Sequence, residues 1–278
     1  MIDRYAVIGN PIAHSKSPLI HAEFAKQTGQ ELLYKTILAP LDGFVDEVKA
    51  FKKLGGRGLN VTLPFKLEAF QLATEKSSRA LDAGAVNTLK FVGNSIVGDN
   101  TDGVGLVRDI TQNLSFAIRG KRVLLIGAGG AARGVMYPLL QEEPLSLTIA
   151  NRTLATAAQL ISRYFEISFF KRTQLAAVGF SELKGQAFDL IINASSASVK
   201  GESLPLPVDI FARGSLAYEM MYGKSRTPFM QFAKNDGAGK VADGLGMLIE
   251  QAAESFFIWR GVRPETQLVF TKLKNSPT

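Results

Sequence analysis

Residues 122–132 read Arg-Val-Leu-Leu-Ile-Gly-Ala-Gly-Gly-Ala-Ala, an apolar run entering a Gly-x-Gly-x-x-Ala turn. A turn of this kind can hold a pyrophosphate. Gly127 permits a tight bend, Gly129 lets the backbone approach the phosphates, and Ala132 keeps the next helix close to the strand. The free N–H groups from Gly127 through Ala128, Gly129, Gly130 and Ala131, with the positive end of the helix dipole, would hold the anion. Glycines alone define a turn and nothing more. Here the strand before and the helix-forming run after supply the setting that a dinucleotide site requires.

About 20 residues beyond the glycines, where NAD enzymes usually place an Asp or Glu on the ribose 2′-hydroxyl, this chain reads Asn151-Arg152-Thr153. The carboxylate is missing and a guanidinium stands beside the position. Arginine pairs with a phosphate through two parallel hydrogen bonds. The expected cofactor is therefore NADP(H); the competing reading makes Arg152 an ordinary surface arginine.

Four other segments carry polar groups at the ends of apolar runs. Gly9–Pro18 holds Ser15 and Ser17, whose hydroxyls could meet a carboxylate near a helix start; Ser17 before Pro18 also reads as an N-cap. Asn60–Lys66 sets Thr62 and Lys66 around a proline-fixed turn after a strand, the end at which α/β sheets bind ligands. Gly84–Thr88 adds Asn87, and Gly98–Gly103 adds Asp102, which reads equally as the N-cap of the next helix. Together they describe a polar pocket suited to a small polyhydroxylated acid.

Composition excludes several alternatives. The 278 residues contain no cysteine, which removes disulfides, thiolate metal sites and cysteine nucleophiles. The two histidines, His14 and His21, do not make a zinc site or a Ser-His-Asp triad, so no metal is expected; His21 reads as a packing or surface residue of a helix. The net charge of +7 is concentrated in residues 102–240, where an anionic cofactor would bind, and no basic run exceeds two residues. Nucleic acid is not expected as a partner. No apolar stretch reaches the ~18–20 residues of a membrane span, and the first residues do not read as a secretory signal, so a cytoplasmic protein is expected.

The elements that must position these groups form two strand–helix series, which imply α/β architecture with largely parallel sheets. The first places strands at Tyr5–Ile8, Leu32–Leu38, Gly58–Thr62, Ala85–Phe91 and Ser95–Val97. Its helices are Pro18–Gln27, Leu41–Leu54 and pieces within Lys66–Ala83. A helix over Gly103–Leu114 follows. The second series places strands at Arg122–Ile126, Leu145–Ala150, Ile167–Phe170, Phe188–Asn193 and Leu216–Met220. Its helices are Gly130–Leu140, kinked near its end by Pro138, and Leu154–Tyr164. A closing helix over Leu245–Trp259 has one apolar face. The domain expectation is 1–101 with 241–278 as one α/β domain and 102–240 as an inserted dinucleotide-binding domain.

These motifs, with Ala242-Asp243-Gly244-Leu245-Gly246-Met247, resemble the shikimate dehydrogenase family in order over nearly the whole chain. The resemblance implies a substrate domain, an inserted Rossmann domain, a C-terminal return and a cleft between domains. It implies reversible NADPH-dependent reduction of 3-dehydroshikimate to shikimate. It makes Lys66 and Asp102 the catalytic pair and gives Ser15, Ser17, Thr62, Asn87, Tyr218 and Gln251 to the substrate. Gly244 and Met247 fall by the nicotinamide. A homodimer is compatible with it.

Three positions depart from the family pattern. Thr156 stands where many members have a second arginine, Asn193–Ser198 ends in serine where Asn-Ala-Thr-Ser-x-Gly has glycine, and Glu219 replaces the aspartate of Tyr-Asp-Met. Thr156 leaves a dual NAD/NADP quinate/shikimate dehydrogenase as an alternative. A non-catalytic NADP-binding regulator on the same scaffold is the other.

Overall fold

The computed structural model describes residues 2–165, 172–223 and 225–275. The chain divides into two compact units, 1–105 with 248–278, and 106–247. Among the described residues no helix is long and apolar enough to cross a membrane.

The first unit opens with β1 (Asp3–Gly9), α1 (Ser17–Thr28), β2 (Leu32–Leu38), α2 (Phe44–Lys53) and β3 (Gly56–Val61). It continues through α3 (Lys66–Leu72), β4 (Glu75–Lys76), α4 (Ser78–Ala83), β5 (Thr88–Val92) and β6 (Ser95–Asp99). The sheet order is β2-β1-β3-β5-β6-β4. The period of two in β1 decides its burial: Ala6 and Ile8 enter one core with Phe44 and Val61, while Tyr5 and Val7 face another. Pairing is parallel across β2, β1 and β3 but antiparallel across β3, β5 and β6. The cause is local. Gly93-Asn94 is a two-residue turn signal between two apolar runs, and Gly93 has φ +55°, so the chain turns back into a hairpin.

α1 differs from its expected start. It begins at Ser17 itself, with Pro18 in the first turn and no side-chain cap, so Ser17 is not the N-cap. α5 (Asp102–Arg108) then gives way to a single π-helical turn over Asp109–Asn113.

The second unit holds β7 (Arg122–Ile126), α6 (Gly130–Gln141), β8 (Ser146–Ala150), α7 (Leu154–Phe165) and β9 (Gln174–Val178). It also holds β10 (Phe188–Asn193), β11 (Phe211–Glu219), α8 (Pro228–Asn235) and β12 (Lys240–Ala242). All its strand pairs are parallel, in the order β12-β11-β10-β7-β8-β9. From β9 back to β7 and then out through β10 to β12, this is the doubly wound dinucleotide-binding order. Its central strands are buried on both faces: in β7, Val123 and Leu125 join one cluster, Leu124 and Ile126 another. The strand expected at Ile167–Phe170 lies outside the described residues, and β9 follows it.

α9 (Leu245–Arg260) and α10 (Gln267–Asn275) close the chain. The later part of α9 packs on the first sheet. Trp259 stacks on Tyr5 with ring centroids 4.7 Å apart, and its Nε1 donates to the Leu89 carbonyl at 3.0 Å.

Candidate active site

In the first unit, the loops after β1 and β3 are tied at the C-terminal edge of the sheet. The Asn10 backbone N–H donates to the Leu63 carbonyl at 3.0 Å. This places the Ser15–Ser17 loop and the Thr62–Lys66 turn at one end of neighbouring parallel strands, where α/β sheets take ligands. Ser17 is nearly buried, and its N–H donates to the Ser15 hydroxyl at 3.3 Å.

Lys66 begins α3 and Asp102 begins α5. Lys66 Nζ donates to Asp102 Oδ2 at 2.6 Å, with the two side chains 28% and 15% exposed. Enough surface remains for the ammonium to meet a ligand while the carboxylate holds it. Asn87 Nδ2 donates to the other oxygen, Asp102 Oδ1, at 2.8 Å. Gln251, on α9, brings Oε1 to 3.5 Å from Asn87 Nδ2 and 3.3 Å from Thr101 Oγ1. Lys66, Asp102, Asn87 and Gln251 therefore form one cluster.

The approach to Asp102 is rigid. Asn100 Oδ1 accepts the Asp102 N–H at 3.1 Å, and Asp99 accepts the Asn100 N–H at 2.7 Å. Arg79 grips Asp99 through two nitrogens, at 3.0 and 2.7 Å, and Glu254 through a third at 2.8 Å. Burial would raise the Glu254 carboxyl, but Arg79 and Arg263 outweigh it and hold it below the usual carboxylate range.

In the second unit, Gly127 has φ +104°, and a Cβ there would meet the Ala194–Ser195 backbone at 3.2 Å. The turn after β7 and the loop after β10 thus touch at the point where strand order reverses. Gly129 and Gly130 behave differently. A Cβ at either would have nothing within 4 Å, and both are exposed at the start of the 12-residue α6. Protein packing does not demand these glycines; bare backbone N–H groups at a helix start fit a pyrophosphate. Ala132 is fully buried against the core, and Ala131 is exposed.

After β8, Asn151 Nδ2 donates to the Thr153 carbonyl at 2.9 Å and shapes the turn that presents Arg152 to solvent. Arg152 has no acidic partner among the described residues and is available to an anion.

Tyr218, Gly244 and Met247 belong to the same unit but differ in availability. Tyr218 is fully buried, and its hydroxyl donates to Asp109 Oδ2 at 2.6 Å. Burial, reinforced by that carboxylate, pushes the phenol well above its ordinary range. A Cβ at Gly244 would fall 2.2 Å from the Met220 carbonyl oxygen, so this glycine answers to backbone packing. Met247 is 9% exposed and packs in the core that includes Tyr218. Asp109 escaped the sequence reading because an acid within a helical stretch carries no local signal of its partner 109 residues away.

Comparison with known proteins agrees with the ordered motifs. Residues 7–89 match the model of the shikimate dehydrogenase substrate binding domain, 108–200 that of shikimate / quinate 5-dehydrogenase, and 244–269 that of the shikimate 5′-dehydrogenase C-terminal domain. A shikimate dehydrogenase (NADP(+)) of Nitrosospira multiformis is 59% identical over 276 residues, covering 99% of this chain and 98% of its own. The chain belongs to the shikimate dehydrogenase family. Among solved structures, the Ael1 enzyme of Pseudomonas putida is 49% identical with TM-score 0.91, covering 98% of both chains. A shikimate 5-dehydrogenase of Thermus thermophilus, solved with NADP(H) and shikimate, is 30% identical with TM-score 0.84 over 99% of both chains.

Against the shikimate dehydrogenase pattern, Glu219 is the departure with the densest surroundings. Its carboxylate is fully buried and accepts from Asn193 Nδ2 at 2.9 Å, Thr227 Oγ1 at 2.9 Å and the Met221 N–H at 3.1 Å. Asn193 also accepts the Ser195 N–H at 3.1 Å, so the carboxylate fixes the root of the loop that lies on Gly127.

Proposed function

We infer that this chain catalyses the reversible NADPH-dependent reduction of 3-dehydroshikimate to shikimate, a step towards chorismate and the aromatic amino acids. The observation that carries the inference is the 2.6 Å Lys66–Asp102 pair, with Asn87 on its second oxygen, in a chain so similar to NADP-dependent relatives. Residues 1–101 with 241–278 take the substrate, and 102–240 take the cofactor. The Gly127–Ala131 turn would hold the cofactor, which would supply a hydride for the ring carbonyl carbon.

As hydride arrives, negative charge grows on the carbonyl oxygen. Lys66 as ammonium stabilises that charge and donates the proton; as amine it takes the proton in the reverse direction. Asp102 holds the ammonium in place and accepts from a neighbouring substrate hydroxyl. Ser15 and Ser17 donate to the substrate carboxylate, while Thr62, Asn87 and Gln251 hold ring oxygens. Tyr218, its hydroxyl given to Asp109, serves as a wall beside Met247, and its expected bond to substrate requires that Asp109 let go. Asn151, Arg152 and Thr153 receive the adenosine 2′-phosphate, and Gly244 and Met247 border the nicotinamide.

The enzyme works on small molecules, without nucleic acid, in the cytoplasm where NADPH is regenerated; sizing in solution checks for a homodimer. Turnover with NADP and NAD against shikimate and quinate tests the assignment. Shikimate oxidised with NADP at a far higher kcat/KM than the other three pairs is the expected result. Thr156 favours the second reading, dual cofactor use with quinate, and comparable rates across the four pairs would establish it. Absence of turnover in all four would leave an NADP-binding regulator.

A further inference from the structure

Beside the Lys66–Asp102 pair lies a buried network whose hydroxyls, from Thr88 and Ser255, have no part in the roles assigned above. Asn87 Oδ1 accepts the Thr101 backbone N–H at 2.9 Å, a role open only to oxygen, so its amide orientation is fixed. Nδ2 must then face Asp102 Oδ1. Asn60 is fixed in the same way. Its Nδ2 meets the Asn87 backbone carbonyl at 3.3 Å, which leaves Oδ1 to accept the Tyr34 hydroxyl at 2.7 Å.

Two hydroxyls join these amides. Thr88 Oγ1 donates to Asn87 Oδ1 at 2.9 Å and lies 2.8 Å from Ser255 Oγ. Ser255, on α9, also receives Asn60 Nδ2 at 2.9 Å and lies 3.0 Å from the Gln251 carbonyl; with the Thr88 proton on Asn87, it is Ser255 that donates to Thr88 Oγ1. Thr88 and Ser255 are 1% and 0% exposed, so neither can exchange its partner for bulk water.

We propose that the Thr88 and Ser255 hydroxyls are positioning groups for catalysis: they clamp the Asn87 amide, which in turn aims the Asp102 carboxylate at Lys66. The proposal rests on the oxidoreductase reading of the Lys66–Asp102 pair. Without the Thr88 hydroxyl, Asn87 Oδ1 loses one of the donors that oppose rotation of the amide. Nδ2 then moves off Asp102, and the carboxylate gains freedom that the proton-transfer geometry does not tolerate. A purely structural role would satisfy buried polar atoms and leave turnover of the folded protein unchanged.

Thr88→Val keeps the shape and removes the hydroxyl; Thr88→Ser keeps the hydroxyl; Ser255→Ala removes the second member. Each full-length variant is assayed for kcat and for both KM values well below its melting temperature. Thr88→Val and Ser255→Ala are expected to lower kcat by about 10- to 100-fold, the scale of small misplacements at a reacting centre, with KM for NADPH unchanged. Thr88→Ser is expected to retain most of the parent kcat. Parental kcat in folded Thr88→Val or Ser255→Ala overturns the proposal, as does equal loss in Thr88→Ser and Thr88→Val. If Thr88→Val does not fold, Ser255→Ala decides alone. Absence of turnover in the parent protein overturns the oxidoreductase reading as well, which separates the two failures.

Discussion

Ser198 donates its hydroxyl to the buried Glu219 carboxylate. Two of the three positions at which the second unit departs from the family pattern, 21 residues apart in sequence, are therefore one interaction. The longer acid and the added hydroxyl account for each other: one supplies an oxygen and the other a donor. Ser198→Ala leaves Glu219 one donor short inside the protein. It should cost about 1–3 kcal/mol in urea unfolding, the scale for an unsatisfied buried partner. A double-mutant cycle with Ser198→Gly and Glu219→Asp should show coupling of about 0.5–3 kcal/mol. Strictly additive losses would mean that the two residues act independently.

Lys66→Ala removes the ammonium while leaving the glycine turn untouched. Its kcat should fall by ~10²–10⁴-fold, the range for general acid–base catalysis. NADPH binding, followed by fluorescence, should stay within about twofold of the parent, since this substitution removes charge stabilisation and proton transfer at the substrate and no proposed cofactor contact. A near-normal kcat would take Lys66 out of the mechanism.

Arg152 is exposed and has no acidic partner among the described residues, so its removal should cost the fold little. Arg152→Ala should weaken NADPH by roughly 10- to 100-fold, corresponding to hydrogen bonds between charged groups. NADH, which lacks the 2′-phosphate, should be almost unaffected. Equal losses for both cofactors would refute the phosphate assignment.

His21 is wholly buried, stacked on Tyr34 with ring centroids 4.1 Å apart, and neither ring nitrogen has a hydrogen-bond partner. Burial pushes its pKa down to about 3. Between there and the ordinary histidine pKa of about 6.5, the unfolded chain binds a proton that the folded chain refuses. The contribution of neutral His21 is thus complete above about pH 6.5 and is lost as pH falls, by about 1.4 kcal/mol per pH unit. His21→Phe should flatten the acid limb of stability against pH in denaturant titrations. An unchanged slope would show that carboxylates alone set it.

The central strands of the second unit were legible because burial on both faces writes itself as continuous apolar runs, as in Val123–Ile126 and Leu190–Ile192; β9, at Gln174–Val178 on the edge and without a fully buried residue, was not. The three-residue β12, with its exposed first residue, has no such signature. Nor does the two-residue β4, which exists only through its pairing with β6. The Gly93-Asn94 turn was present in the sequence, but antiparallel pairing depends on where β5 meets β3, which is a non-local choice. Lys66, Asp102 and Asn87 stood out because each lies at a strand end. Ser255 did not, since a hydroxyl within an apolar helix face reads as filler until Asn60, 195 residues earlier, is seen against it.

The glycine turn separates folding from binding within four residues. At Gly127 the neighbouring loop already fills the space, so an added methyl collides with the protein itself. Beyond Gly129 and Gly130 that space is open, so an alanine there meets no protein atom. On the proposed cofactor site, replacing Gly129 or Gly130 should leave assembly intact and weaken dinucleotide binding. In such a protein the loss of ligand can be measured free of any injury to the scaffold.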